Sequence, residues 1–189
     1  MNIKTDLPTQ FETERLLIRM PQPGDGAELN AAVLESFTEL HLWMPWAQTR
    51  PTVAESEEYT LKTHEEFVAR KSFDLRLFLK GTGTLVGSSG FHAPDWTVPK
   101  FEIGYWCRTR FVGQGYITEA VRGITRYGFE HFGARRIEIR CDIRNVRSAR
   151  VAERAGYRLE ATLRNDRVGM DGQLSDTLVY VMLPEALGT

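Results

Sequence analysis

Three short stretches of this sequence carry residue types whose spacing could do chemistry. The first is Gly113-Gln114-Gly115 within "RTRFVGQGYITEAV" (Arg108 to Val121), set between a strand-like and a helix-like run. Two residues without Cβ bulk let several backbone amides converge, and a helix opening just behind them would add the positive end of its dipole, an arrangement sized for a diphosphate. No Gly-Lys-Ser/Thr follows, which excludes a phosphate loop of that kind. Thr118 stands where a dinucleotide fingerprint carries its third glycine, which weakens that reading and leaves a plain strand-to-helix turn as the competitor. The second stretch is "KFEIGYWC" (Lys100 to Cys107). Glu102 shares a strand face with Gly104, whose missing side chain leaves room for a substrate, although a strand carboxylate paired with an arginine would look the same. The third is "NVRSARVAERAGY", where Asn145 is a preferred N-cap residue and Ser148 follows on the same helical face.

These groups need a scaffold to position them. "RLLIRM" (Arg15 to Met20) reads as a first strand, and Pro23 with Asp25 opens a helix toward Leu40. Thr52 and Glu55 then form a capping box for a second helix reaching about Arg70. "FDLRLFLK" (Phe73 to Lys80), the turn Gly81-Thr82-Gly83 and "TLVGSSGFH" predict an antiparallel hairpin. After the fourth strand and the glycine turn, Ile117, Ala120, Val121, Ile124, Tyr127 and Phe132 fall at helical spacing, with Gly133 placed as a C-cap. "RRIEIRC" is a fifth strand, Val146 to Ala155 a short helix closed by Gly156, and strands near Tyr157 to Leu163 and Leu174 to Leu183 finish the chain. The order β-α-α-β-β-β-α-β-α-β-β predicts an α/β (α+β) mixed sheet of seven strands with about four helices on both faces.

The chain has 189 residues, 42% of them hydrophobic, which suits one domain spanning 1–189. A formal net charge of −1 supplies no global field for nucleic acid or an anionic membrane. "MNIKTDLPTQF" holds no apolar run of leader length, and no stretch approaches the roughly 20 apolar residues of a membrane span, so the expectation is a cytoplasmic protein. Cys107 and Cys141 are the only cysteines and lack metal-ligand spacing, so neither a disulfide scaffold nor a metal is expected. His41, His64, His92 and His131 are scattered without paired spacing and read as structural or solvent-facing. Eight arginines between Arg135 and Arg158 face only Glu138, Asp142 and Glu153. That run reads as a soluble helix face or as a holder of phosphates.

Arg110-x-x-Gly113-x-Gly115 after "EIGYW", followed thirty residues on by "NVRSARVAERAGY", resembles the GNAT N-acetyltransferase superfamily. "ETERLLIR", "LWMPWA" and "GQGYITEA" resemble its branch of Rim-type ribosomal-protein N-terminal acetyltransferases. The resemblance implies acetyl-CoA as cosubstrate. It implies that backbone groups of Trp106, Cys107 and Arg108 align the pantetheine, and that Arg110, Phe111, Val112, Gly113, Gln114, Gly115 and Tyr116 wrap the pyrophosphate. Asn145 would also bond the pantetheine arm.

Acetyl transfer to an amine needs a base for the ammonium and a proton for the leaving thiolate. The resemblance assigns the base to Glu102, with Glu160 or Asp176 as alternatives. Many members use a tyrosine as acid at the position of Ala152. That route is closed here, and Ser148 is the Rim-like substitute. Cys141 ends its strand just before Asn145, and an acetyl-cysteine route is conceivable, but direct attack is preferred because no histidine is placed to activate the thiol. Trp43 and Trp46 bracket Met44-Pro45 beside an acidic helix and suggest a wall for the acceptor. The expected acceptor is a protein N-terminal amine. Small amines such as aminoglycosides or polyamines, and a non-catalytic CoA-binding sensor, are the rival readings. A homodimer is admitted by the resemblance alone.

Overall fold

The computed structural model describes residues 7–188; residues 1–6, which begin the stretch read for a leader, and residue 189 lie outside it. In chain order the elements are β1 (Gln10–Glu12), β2 (Leu16–Arg19), α1 (Gly26–Glu35), α2 (Phe37–Trp43), α3 (Val53–Val68), β3 (Phe73–Leu79), β4 (Leu85–Asp95) and β5 (Lys100–Cys107). They continue with α4 (Tyr116–His131), β6 (Arg136–Asp142), α5 (Val146–Ala155), β7 (Arg158–Val168) and β8 (Leu174–Met182). The fold is mixed α/β with a largely antiparallel sheet, as expected, but with eight strands and five α-helices among the described residues rather than seven and four.

Neither extra element is announced by the sequence pattern. β1 is a three-residue strand that borrows its order from antiparallel pairing with β2 (Phe11 opposite Ile18), so no periodicity announces it. The single helix expected from Pro23 to Leu40 breaks at Ser36, which is fully buried with φ −103° and ψ 8°. Its hydroxyl accepts the Thr109 amide at 3.0 Å, a tertiary bond that holds the junction of α1 and α2 in place. Asp25 does not cap α1 with its side chain. Its carboxylate binds Arg19 at 2.6 and 2.7 Å, while Glu57 accepts from the Gly24 and Gly26 amides at 2.7 and 2.8 Å. The Thr52/Glu55 capping box at α3 is present, with Thr52 Oγ1 accepting from the Glu55 amide and Glu55 from the Thr52 amide.

The chain forms two compact units, with β4, β5 and α4 each contributing residues to both. One unit holds Pro8–Gly90 and Tyr105–Ala120. Its strands follow the order β1-β2-β3-β4-β5, and Leu29, Ala32, Val33, Leu40, Ala47, Phe78 and Leu85 form a core over which Leu17, Met44 and Trp106 pack. Gly87 of β4 is required there, because a Cβ would stand 2.1 Å from the Trp106 carbonyl oxygen.

The other unit holds Phe91–Gly104 and the chain from Val121 onward. Its strands follow β4-β5-β6-β8-β7, and β5 with β6 is its parallel pair. Phe91, Phe101, Tyr127 and Phe132 pack together, Phe91 edge to face on Phe101 and on Phe132, whose centroid is 4.9 Å away, and Tyr127 edge to face on Phe132. Gly156 closes α5 at φ +99°, the left-handed conformation that stops a helix at little cost only in glycine.

Candidate active site

In the first unit β5 runs into a single 3₁₀ turn, Thr109–Phe111, and then into the glycine loop. Gly113 and Gly115 both have φ +82°, a region that a Cβ disfavours. The Gly115 carbonyl takes the first bond of α4, from the Glu119 amide at 3.0 Å. The amides of Tyr116, Ile117 and Thr118 therefore precede the first intrahelical donor, and with those of Gly113 and Gly115 they have no acceptor among the described residues. A Cβ built on Gly113 would meet nothing within 4 Å, so the loop is open on that side.

The arginines of this loop are committed elsewhere. Arg110 donates through Nε to both oxygens of Glu35 at 2.8 Å, and its amide donates there too. Arg108 is buried and bridges Glu28 and Glu35 at 2.8 Å each, while its own amide is spent on the Val86 carbonyl at 2.7 Å. The Arg110 hydrogen bonds, helped by Arg108 and opposed by desolvation, pull the Glu35 carboxyl down to about 2. What the loop offers an anion is therefore its amides, and Arg110 anchors it from behind.

Sequence reasoning missed the residue that orders the loop from the other side. Arg15 donates to the Gln114 carbonyl at 3.0 Å, lies over the Tyr116 ring at 4.3 Å and closes on Glu119 at 2.6 Å. No local signal links positions 104 residues apart.

Of the two tryptophans, Trp43 ends α2 half-buried, and Trp46 is 54% exposed with its ring 6.3 Å from that of Trp106. His41 donates its ring N–H to the Ala47 carbonyl oxygen at 3.0 Å and braces this loop. Cys107 is pushed up to about 12 by burial and is unsuited to nucleophilic work.

In the second unit Glu102 occupies a defined place. The parallel register of β5 with β6 runs Lys100↔Arg136, Phe101↔Ile137, Glu102↔Glu138, and ends there. Glu102 is half-buried, and among the described residues no cation nitrogen lies within 4.0 Å of it, which removes the salt-bridge explanation. Desolvation raises its carboxyl above the ordinary value; Arg140 and His92 pull the other way.

The alternative bases are differently placed. Glu160 is exposed and forked onto Arg136 at 2.6 and 2.9 Å, which lowers its carboxyl, and Asp176 accepts the Asn165 amide at 2.9 Å. Much of the arginine run is likewise consumed locally: Arg136 on Glu138 and Glu160, Arg140 on Asp166, Arg144 on Asp142 and Asp171.

Asn145 caps α5, its Oδ1 accepting the Ser148 amide at 3.1 Å. The Ser148 side chain bonds Cys141, whose thiol is raised chiefly by burial. Strand alternation separates this group from Glu102. Glu102 shares a face with its register partner Glu138, and Cys141, three residues beyond Glu138, points to the opposite face, where Ser148 meets it.

The family description "Acetyltransferase (GNAT) domain" matches residues 15–158. The "Putative ribosomal N-acetyltransferase YdaF" of Bacillus subtilis (strain 168) is 28% identical over 172 residues, covering 90% of this chain and 92% of that protein. The ribosomal-protein-serine acetyltransferase of Escherichia coli (strain K12) is 28% identical over 124 residues, 65% and 69% of the two chains. Among solved structures, RimL, the ribosomal L7/L12 alpha-N-protein acetyltransferase in complex with coenzyme A, superposes with a TM-score of 0.83 at 20% identity, covering 95% of this chain and 98% of that one. The amide cradle ahead of α4 and the carboxylate at the end of the β5/β6 register thus stand in a member of the GNAT acetyltransferase family, an N-acetyltransferase that uses acetyl-CoA.

Proposed function

We propose that the chain transfers the acetyl group of acetyl-CoA to a protein N-terminal α-amine of the ribosomal-protein type, by direct attack of the amine, in the cytoplasm and as one catalytic domain. The observation that carries the acceptor is the likeness to YdaF across 90% of the chain, supported by the E. coli ribosomal-protein-serine acetyltransferase. In this reading the loop from Arg110 to Tyr116 holds the pyrophosphate through its free amides, those of Gly113, Gly115 and Tyr116, and the side-chain amide N–H of Asn145, whose oxygen is spent on the cap, bonds the pantetheine. When bound, acetyl-CoA supplies an activated thioester carbonyl.

The chain's own residues handle the protons. Glu102 assists removal of the ammonium proton, for which a carboxyl raised by desolvation is better matched than an ordinary one. Ser148 gives its hydroxyl proton to the departing thiolate. Burial keeps Cys141 protonated, which favours direct attack over a covalent acetyl-cysteine. Trp43 and Trp46 offer apolar surface to the acceptor backbone.

Mass spectrometry tests this on a panel of ribosomal-protein N-terminal peptides, aminoglycosides and polyamines incubated with acetyl-CoA. One added acetyl on peptides alone supports the reading. Acetylation of a small amine alone replaces the acceptor, and coenzyme A binding without any product points to a sensor.

A further inference from the structure

Four histidines were expected to be structural or solvent-facing, and three of them have ordinary neighbours. His41 and His64 bond backbone carbonyls at 3.0 and 2.8 Å, and His131 lies tilted against Tyr127 with ring centroids 4.6 Å apart. His92 differs. It is an exposed residue of β4, and its ring lies directly across Gly104 of β5: a Cβ at Gly104 would stand 3.0 Å from both Cδ2 and Nε2 of the imidazole. The glycine read from sequence as space for a substrate is, in the fold, the seat of a histidine ring.

Gly104 and Glu102 are two residues apart on one strand face, about 7 Å along β5. No nitrogen of His92 comes within 4.0 Å of the Glu102 carboxylate, a gap that one water spans. Glu102 is also the last position paired with β6, so the imidazole stands just past the point where the β5/β6 register ends. The charged groups that bear on Glu102 come from three other strands: His92 on β4, Arg140 and Glu138 on β6, and Arg167 on β7. Arg140 is held by Asp166 and Glu138 by Arg136, which leaves the imidazole as the nitrogen base among these groups.

We propose that His92 is the proton acceptor of the reaction, paired with Glu102. The N–H bond of the acceptor ammonium breaks, its electron pair stays on the amine nitrogen, and the proton forms a new N–H bond on the free imidazole nitrogen. The Glu102 carboxylate stabilises the resulting imidazolium. Because His92 is exposed, the proton then passes to water and the ring returns to its starting state. This deepens the proposed function, resting on its assignment of the amine-side chemistry to Glu102, and shifts the direct contact with the amine from the carboxylate to the ring.

The test uses the full-length protein in two measurements. NMR titration of the His92 Cε1–H signal, assigned by its loss in His92→Gln, is compared between the wild type and Glu102→Gln. Removal of the carboxylate is expected to lower the His92 midpoint by about half a unit or more. Kinetics with a synthetic serine-initiated peptide are expected to show kcat lower by about 100-fold in His92→Gln, with loss of the acidic limb of the pH profile and the KM for acetyl-CoA unchanged. Gly104→Ala, which retains the imidazole but pushes it off its seat, should lower kcat in the same direction. An unmoved midpoint in Glu102→Gln overturns the pairing, and His92→Gln turnover within about threefold of wild type overturns the role. The titration needs neither acceptor nor cosubstrate, so failure of the peptide to be acetylated at all falls on the proposed function and is read separately.

Discussion

Arg110 closes on Glu35 with Nε 2.8 Å from each carboxylate oxygen, although 75 residues separate them, and the same carboxylate holds the buried Arg108. The turn that leads into the glycine loop is thus clamped to the end of α1 by two cations sharing one anion. Glu35→Ala would leave Arg108 with Glu28 alone and should cost about 2–3 kcal/mol, measured by urea denaturation.

The same clamp predicts a pH dependence. The Glu35 carboxyl is held at about 2 in the folded chain, below the 4.5 of the free group, so its contribution to stability is complete above about 4.5 and is lost as pH falls through that window toward 2. In Glu35→Gln the stability curve should be flatter across this range than in the wild type. Equal slopes in both proteins would show that the clamp adds nothing to the acid limb.

Gly113→Ala and Gly115→Ala place a Cβ on residues at φ +82°, which should cost about 1 kcal/mol of stability each. Coenzyme A binding should weaken by more than that, because relief of the strain turns amides out of the cradle. Thermal shift with and without coenzyme A separates the two effects, and an undiminished ligand-induced shift in both variants would sink the cradle.

Ser148→Ala keeps the backbone amide that Asn145 caps, so the fold should persist. The kcat is expected to fall about 10- to 100-fold while the KM for acetyl-CoA stays put, as for loss of one proton-transfer group. Asn145→Ala should differ, losing about 1 kcal/mol of stability with the cap.

Gly87→Ala drives a methyl against the Trp106 carbonyl at 2.1 Å, and backbone on both strands must move. A loss of about 2–3 kcal/mol is expected in urea denaturation. A variant as stable as the wild type would mean that β4 and β5 are not packed as closely as described.

Signals contained within a few neighbouring residues were legible in the sequence. The Thr52/Glu55 box, the hairpin around Gly81 and Gly83, the stop at Gly156 and the whole of β5 follow from side chains acting on their own backbone, so residue type and spacing suffice. The glycine loop belongs with them, since positive φ and the opening of a helix are local properties. What escaped depends on distant partners. Ser36 is held by the Thr109 amide, the loop answers to Arg15 and Glu35, and His92 answers to the absence of a Cβ at Gly104. The placement of Glu102 and Ser148 on opposite faces was decided by the register of β5 with β6, where a slip of one residue would reverse it. The residue types available for acetyl transfer, and the local turns that carry them, were determined by sequence alone. Which of those residues are spent on ion pairs, and which stand where a proton can be moved, was decided only by tertiary structure, because hydrogen bonds and charge pairs form between atoms close in space however far apart they lie in the chain.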